Sequence, residues 1–133
     1  MNKNAMTANP TFRFSVDDNG KFSYDPKGEW EYVHRYPVRF VSSTGPFTIS
    51  VARTDVNAGS QDLQNPFGGN LQGQPAAGGT WAAEAKVQDG LTEAVRRTEW
   101  LAKGFIAKYK YRIEVEHGGK KYIDFSKSGT HMC

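Results

Sequence analysis

The stretch that decides the fold is YKYRIEVEHGGKKYIDFS, residues 109–126. Polar and apolar residues alternate on both sides of the Gly118-Gly119 pair, which is the period of half-buried β-strands. A tight two-residue turn at the glycines would place Ile113 opposite Asp124. A loop one residue longer pairs Ile113 with Ile123, because a shift of one residue exchanges the two faces of a strand. We therefore predict the longer loop.

This three-residue loop, residues 117–119, also gives favourable pairs between charged side chains on the outer face. Its other predicted pairs are Tyr111 with Phe125, Arg112 with Asp124, and Glu116 with Lys120. In this register Gly119 takes the left-handed conformation that a three-residue hairpin loop requires in its last position.

A second hairpin is predicted in TFRFSVDDNGKFSYDP, residues 11–26. A three-residue loop over residues 18–20 aligns its apolar side chains, and Gly20 supplies the left-handed position. The predicted pairs are Val16 with Phe22, Phe14 with Tyr24, and Asp17 with Lys21.

A third hairpin is predicted in YPVRFVSSTGPFTISVARTDV, residues 36–56. A loop of residues 43–46 makes Phe40 face Ile49 and Val38 face Val51. Pro37 has no backbone N–H to donate, so it should end the preceding strand or lie on a sheet edge. WAAEAKV, residues 81–87, predicts one further strand.

Residues 91–103 have a different period. Their apolar residues recur at helical spacing, and Gly104 suits the position just after a helix. One short α-helix, at about 91–103, is therefore predicted to interrupt the β-chain.

The predicted fold is mainly β, an antiparallel two-sheet sandwich of about seven strands with that helix inserted. The alternative is an α+β fold with the helix on one face of an antiparallel sheet. Residues 11–126 form the domain, flanked by flexible tails at 1–10 and 127–133. Within it, residues 54–80 form a long polar loop, and loops of this length are often functional. Phe67 and Leu71 are expected to anchor part of this loop to the core.

The charge, the cysteine content and the apolar pattern of the sequence bear on the cellular compartment of the protein. The net charge of +3 is modest, and no run of four Lys or Arg concentrates it. Cys133 is the single cysteine, so no intrachain disulfide can form. Neither a signal-peptide segment nor an apolar stretch long enough to span a membrane is apparent. These features favour a cytoplasmic protein that does not contact a membrane.

YKYRIEVEHGGKKYID resembles the penultimate and last strands of bacterial immunoglobulin-like and cupredoxin-like sandwiches, and VRFVSSTGPFTISV resembles a hairpin from the middle of such a sandwich. The resemblance covers some 30 residues and implies the architecture only. The copper-binding pattern of cupredoxins is missing, so no metal function is implied. The single cysteine also excludes the inter-sheet disulfide of antibody domains.

Catalytic and metal-binding signatures are missing from the sequence. It lacks the nucleophile elbow, the phosphate-binding loop and the dinucleotide fingerprint. Asp55 and Asn57 have the spacing of calcium ligands, but the Gly and Glu that an EF-hand loop needs are replaced. Glu114 and Glu116 share one face of a strand and are read as solvated. We therefore expect a non-enzymatic protein with no metal and no cofactor.

Three functions remain open. The leading one is a binding module that contacts another protein, or a second copy of itself, through an edge strand or the loop 54–80. The alternative is a module for a sugar or nucleotide, and the third is weak nucleic-acid binding through the basic helix face. The residues named for ligand or partner binding are Trp100, Arg96, Arg97, Lys103 and Phe67.

Overall fold

The computed structural model describes residues 10–33, 37–53, 67, 69–86 and 106–132. These residues form eleven β-strands. In chain order the strands are β1 Thr11–Val16, β2 Phe22–Asp25, β3 Trp30–Val33, β4 Val38–Ser42, β5 Phe47–Arg53, β6 Leu71–Gln72, β7 Gln74–Ala76, β8 Thr80–Ala85, β9 Ile106–His117, β10 Lys120–Asp124 and β11 Ser128–Met132.

The strands form two sheets that enclose one hydrophobic core, and this is the arrangement of a β-sandwich. The first sheet has the order β2-β1-β4-β8-β7, and the second has the order β3-β11-β9-β5-β6, with β10 also paired to β9. Both sheets are mixed, because β1 runs parallel to β4 and β3 runs parallel to β11.

The predicted fold class is therefore wrong in two respects. We expected about seven antiparallel strands, whereas the structure has eleven strands in two mixed sheets. The alternative, an α+β fold with a helix on one face of an antiparallel sheet, is also wrong, because the described residues form two mixed sheets around one core, and these residues contain no helix. Residues 91–103, on which the helix was predicted, lie outside the described residues.

Aromatic side chains dominate the core because strand alternation points them inward from both sheets. Trp30 is fully buried at the centre, stacked on Phe12 at 4.9 Å between ring centroids and edge-on to Tyr111 at 5.3 Å. The buried cluster consists of Phe12, Phe14, Val16, Trp30, Val38, Phe40, Phe47, Ile49, Val51, Phe67, Tyr109, Tyr111, Ile113 and Val115.

The hairpin of β1 and β2 has the predicted register. Val16 pairs with Phe22 and Phe14 pairs with Tyr24. Gly20 has a φ of 84°, the left-handed conformation that the loop requires. The Asp17 carboxylate accepts hydrogen bonds from the loop amides, and the amide of Lys21 contributes most to lowering the pKa of Asp17.

The predicted hairpin of residues 36–56 is wrong, because β4 belongs to the first sheet and β5 to the second. Residues 43–46 cross from one sheet to the other. The Ser42 hydroxyl accepts from the amides of Thr44 and Gly45 at 3.3 and 3.2 Å and so shapes this crossing. Phe40 and Ile49 are both fully buried, but they enter the core from opposite sheets.

The register predicted for β9 and β10 is also wrong. Gly118 and Gly119 both have positive φ, 61° and 79°, and form the tight two-residue turn. Ile113 consequently pairs with Asp124, and Glu116 with Lys121. The predicted pairs of Ile113 with Ile123, Tyr111 with Phe125, Arg112 with Asp124, and Glu116 with Lys120 do not form.

A β-bulge joins β10 to β11. Asp124 pairs with Ile113, and Ser128 pairs with Lys110, so three residues on one strand face two on the other. The extra residue lets Asp124 and Lys127 both point toward the core, although they are three positions apart. Residues 128–132, interpreted from the sequence as part of a flexible tail, form a strand inside the second sheet.

The remaining strand predictions agree with the structure. Pro37 lies outside the strands, directly before β4, and β8 covers most of the predicted strand at 81–87. Phe67 is buried and Leu71 packs against the core, as expected for anchors of the loop 54–80. That loop also contains β6 and β7.

Candidate functional site

Lys127 is the most unusual charged residue of the described chain, because only 4% of it is exposed. Its ammonium group donates to the carbonyls of Pro26 at 3.0 Å, Lys27 at 3.1 Å and Gly28. It also lies 5.0 Å from the centre of the Trp30 ring, within range of a cation–π contact. All three ammonium protons are therefore used, and Lys127 fastens the connection between β2 and β3 to the last strand.

Tyr24 and Asp124 lie next to this lysine. The Tyr24 hydroxyl donates to the Asp124 carboxylate, which also accepts from Ser126 Oγ at 2.6 Å. Burial raises the pKa of Tyr24, and Asp124 adds to the increase. Burial lowers the pKa of Lys127, while Asp124 opposes that change. Tyr24 thus remains a neutral donor, and this cluster ties the two sheets together rather than supplying a nucleophile.

His117 makes a second connection between the sheets, at the turn that follows β9. Its Nε2 lies 2.8 Å from Asp18 Oδ1, and its Nδ1 lies 3.1 Å from the carbonyl oxygen of Thr44. Both partners are acceptors, so both ring nitrogens donate only in the charged imidazolium. The hydrogen bond to Asp18, followed by the one to Thr44, raises the pKa of His117.

We expect this histidine to make folding stability dependent on pH. Because its folded pKa lies above the ordinary value of 6.5, its contribution is complete below that value and is lost as the pH rises through the folded pKa. Urea unfolding between about pH 5 and about pH 8 should therefore show a loss of stability in the wild type that His117→Gln lacks. An equal pH dependence in both proteins would contradict this assignment.

The candidate binding site lies on the outer face of the second sheet. Ile123 is 45% exposed and Phe125 is 57% exposed, and these are the exposed large hydrophobic residues of the described chain. The Arg112 guanidinium lies 6.0 Å from the centre of the Phe125 ring. Together with Lys121, these residues are here called the β10 surface.

Charged neighbours frame the β10 surface and fix its position. Glu114 lies 3.3 Å from Arg112 and 3.7 Å from Lys121, so it holds both cations beside the apolar pair. Such exposed ion pairs contribute little stability, about 0–1 kcal/mol each. Their effect is to give an apolar patch a charged rim, which is the usual composition of a protein interface.

The strand that carries this surface is also open along one edge. In the described part of the chain, β10 pairs with β9 alone. The residues that flank a two-residue turn exchange hydrogen bonds, so the peptide groups of Lys121 and Ile123 point away from β9. Two of the other edge strands are less suitable, because β6 has two residues and β7 contains Pro75.

Two clefts on the outer faces are small. One, of about 200 Å³, lies on the first sheet beside Arg13, Asp25 and Val41. The other, of about 190 Å³, lies on the second sheet beside Gln72 and Glu116. Pockets for drug-sized ligands usually hold roughly 300–1,000 Å³. Both clefts therefore offer less enclosure than such ligands need.

The residues named from the sequence do not form a site that the structure describes. Trp100, Arg96, Arg97 and Lys103 lie outside the described residues, as do the calcium candidates at 55 and 57. Phe67 is buried and packs edge-on against a core ring, Phe40, at 6.1 Å.

The sequence analysis missed Ile123 and Phe125 as surface residues. The signal for them was the Gly118-Gly119 pair itself, because the tight turn that it permits turns Ile123 outward. The longer loop had placed both side chains on the core face.

Comparison with known proteins gives no assignment: no family model matches the chain, and no curated protein matches it significantly. Within the described ranges, no group of three or more His, Cys, Asp or Glu residues is placed to hold a metal ion. The same ranges contain no helix with the length and apolar character needed to cross a membrane.

Proposed function

We propose that this chain is a non-enzymatic cytoplasmic binding module that contacts a partner protein through the β10 surface and the adjacent strand edge. The observation that carries the proposal is the exposure of two large apolar side chains, Ile123 at 45% on the open edge strand β10 and Phe125 at 57% directly after it. Edge strands accept extended segments of other proteins through main-chain hydrogen bonds, and neighbouring side chains supply the specificity.

The chemistry of the β10 surface favours protein over nucleic acid. Ile123 is aliphatic and offers no ring on which a base can stack, whereas single-stranded nucleic acids are held by successive aromatic platforms. Glu114 and Glu116 lie on the same outer face and would repel phosphate groups. A rim of mixed charge around an apolar pair fits a polypeptide better.

Selection from a display library of short random peptides tests this proposal. We expect the wild-type protein to enrich extended peptides with apolar residues at alternate positions, and Ile123→Lys to reduce their affinity at least about tenfold, equivalent to about 1.4 kcal/mol. Gln74→Lys is the matched control, since it adds the same charge at an exposed position on the other sheet. Equal affinity for Ile123→Lys and wild type, or no enrichment by a wild type that light scattering shows to be monomeric, would contradict the proposal.

We further propose that the sandwich belongs to the immunoglobulin-like and cupredoxin-like class. The two sheets packed around one aromatic core support this, although VRFVSSTGPFTISV crosses between sheets and is not the hairpin on which part of the likeness was based. The order of strands in the second sheet depends on the parallel pairing of β3 with β11.

Nuclear Overhauser effects between Trp30 and Gly129 would test this pairing. Their absence would contradict the proposed topology.

A further inference from the structure

We propose that the partner of the β10 surface is a second copy of this chain, joined by antiparallel pairing of the two β10 strands about a twofold axis at Ile123. This inference rests on the proposed function, because it uses the same edge and the same exposed residues. It adds the identity of the partner, the direction of pairing and the register.

The residues of β10 and its continuation are self-complementary in this register. With the axis at Ile123, this residue lies against Ile123 of the second copy. Lys121 lies opposite Phe125 of the second copy, and the same contact is repeated on the other side of the axis. Aliphatic groups thus meet aliphatic groups, and each Phe125 ring, already beside Arg112, receives a second cation.

The backbone agrees with this register. The peptide groups of Lys121 and Ile123 point to the open side of β10, as the two-residue turn requires. In an antiparallel pair centred on Ile123, the two copies of this residue exchange both of their hydrogen bonds. The second sheets of the two molecules would then form one continuous sheet, and the open edge would be covered.

A neighbouring register is less favourable. If the axis lay at Tyr122, Ile123 would face the Lys121 side chain of the second copy, and Phe125 would face Gly119, which offers no side chain. Lys120 would then approach Asp124, whose carboxylate is already engaged with Tyr24 and Ser126. The axis at Ile123 is therefore the one that satisfies the exposed side chains.

A cysteine placed on the proposed axis tests the register directly. The full chain would carry Ile123→Cys in a Cys133→Ser background, so that residue 123 holds the single thiol. Residues in a hydrogen-bonded antiparallel pair have Cα atoms about 5.5 Å apart, within the range of roughly 4.4–6.8 Å that a disulfide spans. We expect mild oxidation to give a covalent dimer of Ile123→Cys.

Lys120→Cys in the same background is the matched control. It lies three residues from the axis, and its two copies are therefore about 20 Å apart in the proposed dimer. We expect it to remain monomeric on a denaturing gel. Equal crosslinking of both variants, or none at residue 123, would overturn the proposed register.

Light scattering during size-exclusion chromatography supplies the second measurement. The wild type should elute with twice the mass of one chain, and Ile123→Lys with the mass of one, with unchanged circular dichroism. A wild type that is monomeric at every concentration, or a dimer that persists in Ile123→Lys, would overturn the inference. The wild type could instead be a monomer that binds selected peptides more tightly than Ile123→Lys does. That result would overturn self-pairing alone and leave the proposed function standing.

Discussion

Replacing Lys127 by Met should lower the free energy of unfolding by roughly 2–4 kcal/mol, because it leaves carbonyls of the connection between β2 and β3 without their donor. Lys127 is 4% exposed, so water cannot easily replace the ammonium group. Met has a similar length and volume, so it removes the ammonium group from above the Trp30 ring without leaving a large cavity. The measured loss therefore reports on the hydrogen bonds and the charge. Urea unfolding followed by circular dichroism gives the free energy.

Lys120→Met is the matched control for this prediction. It makes the same substitution at an exposed position of β10, and exposed substitutions usually change stability by less than about 0.5 kcal/mol. If the two variants unfold at the same urea concentration, Lys127 does not anchor the connection in the way that its three carbonyl contacts indicate.

Replacing Trp30 by Ala should cost still more, about 3–5 kcal/mol, the range found for removing a large aromatic side chain from a core. Trp30 is fully buried and packs on Phe12, and its indole N–H donates to the Pro26 carbonyl at 3.2 Å. The variant loses this packing and this hydrogen bond, and it leaves a cavity under the Lys127 ammonium. Thermal and urea unfolding would both show the loss.

Trp81→Ala provides the comparison within the same protein. Trp81 packs against the core from β8 but is only partly buried, so its removal should cost less, roughly 1–3 kcal/mol. A Trp81→Ala variant as unstable as Trp30→Ala would contradict the central place that the structure gives to Trp30.

The sequence predicted the first hairpin but not the hairpin of β9 and β10, and the difference lies in the turns. In the first, the Asp17 carboxylate and Gly20 support one loop length. In the other, both glycines adopt positive φ, so loop length could not be read from turn chemistry alone. Apolar alternation alone favours the register that matches Ile113 with Ile123, because it treats both side chains as buried. The two sheets of the sandwich form whichever hairpin register is adopted, because each sheet depends on apolar alternation within its own strands.

Alternation also could not show which strands pair. Both sheets point their apolar side chains into the same core, so Phe40 and Ile49 have the pattern of a hairpin although they belong to different sheets. Pairing of β1 with β4 and of β3 with β11 is distant in sequence and leaves no local signal. The strand SGTHM was not predicted because it lacks apolar alternation. Gly129 of this strand is buried, and a Cβ there would lie only 2.5 Å from the Trp30 carbonyl oxygen, so the close packing of β11 on β3 excludes an apolar side chain there.

The candidate site was the least predictable part. Alternating apolar residues indicate burial, but the tight Gly118-Gly119 turn places Ile123 opposite Glu114, on the outer face, without any change in composition. The burial of Lys127 was equally hard to predict from the sequence, because lysine is normally a surface residue. The basic residues near Trp100 lie outside the described residues, so ligand binding through them stays a prediction.

The position of β11 between β3 and β9 has a consequence for synthesis of the protein on the ribosome. The second sheet cannot be completed until residue 132 has left the ribosome. Trp30 of β3 pairs with Gly129 of β11, which lies almost one hundred positions downstream in the sequence. We therefore expect the second sheet of the nascent chain to remain incomplete, and open to chaperones, until β11 has left the ribosome.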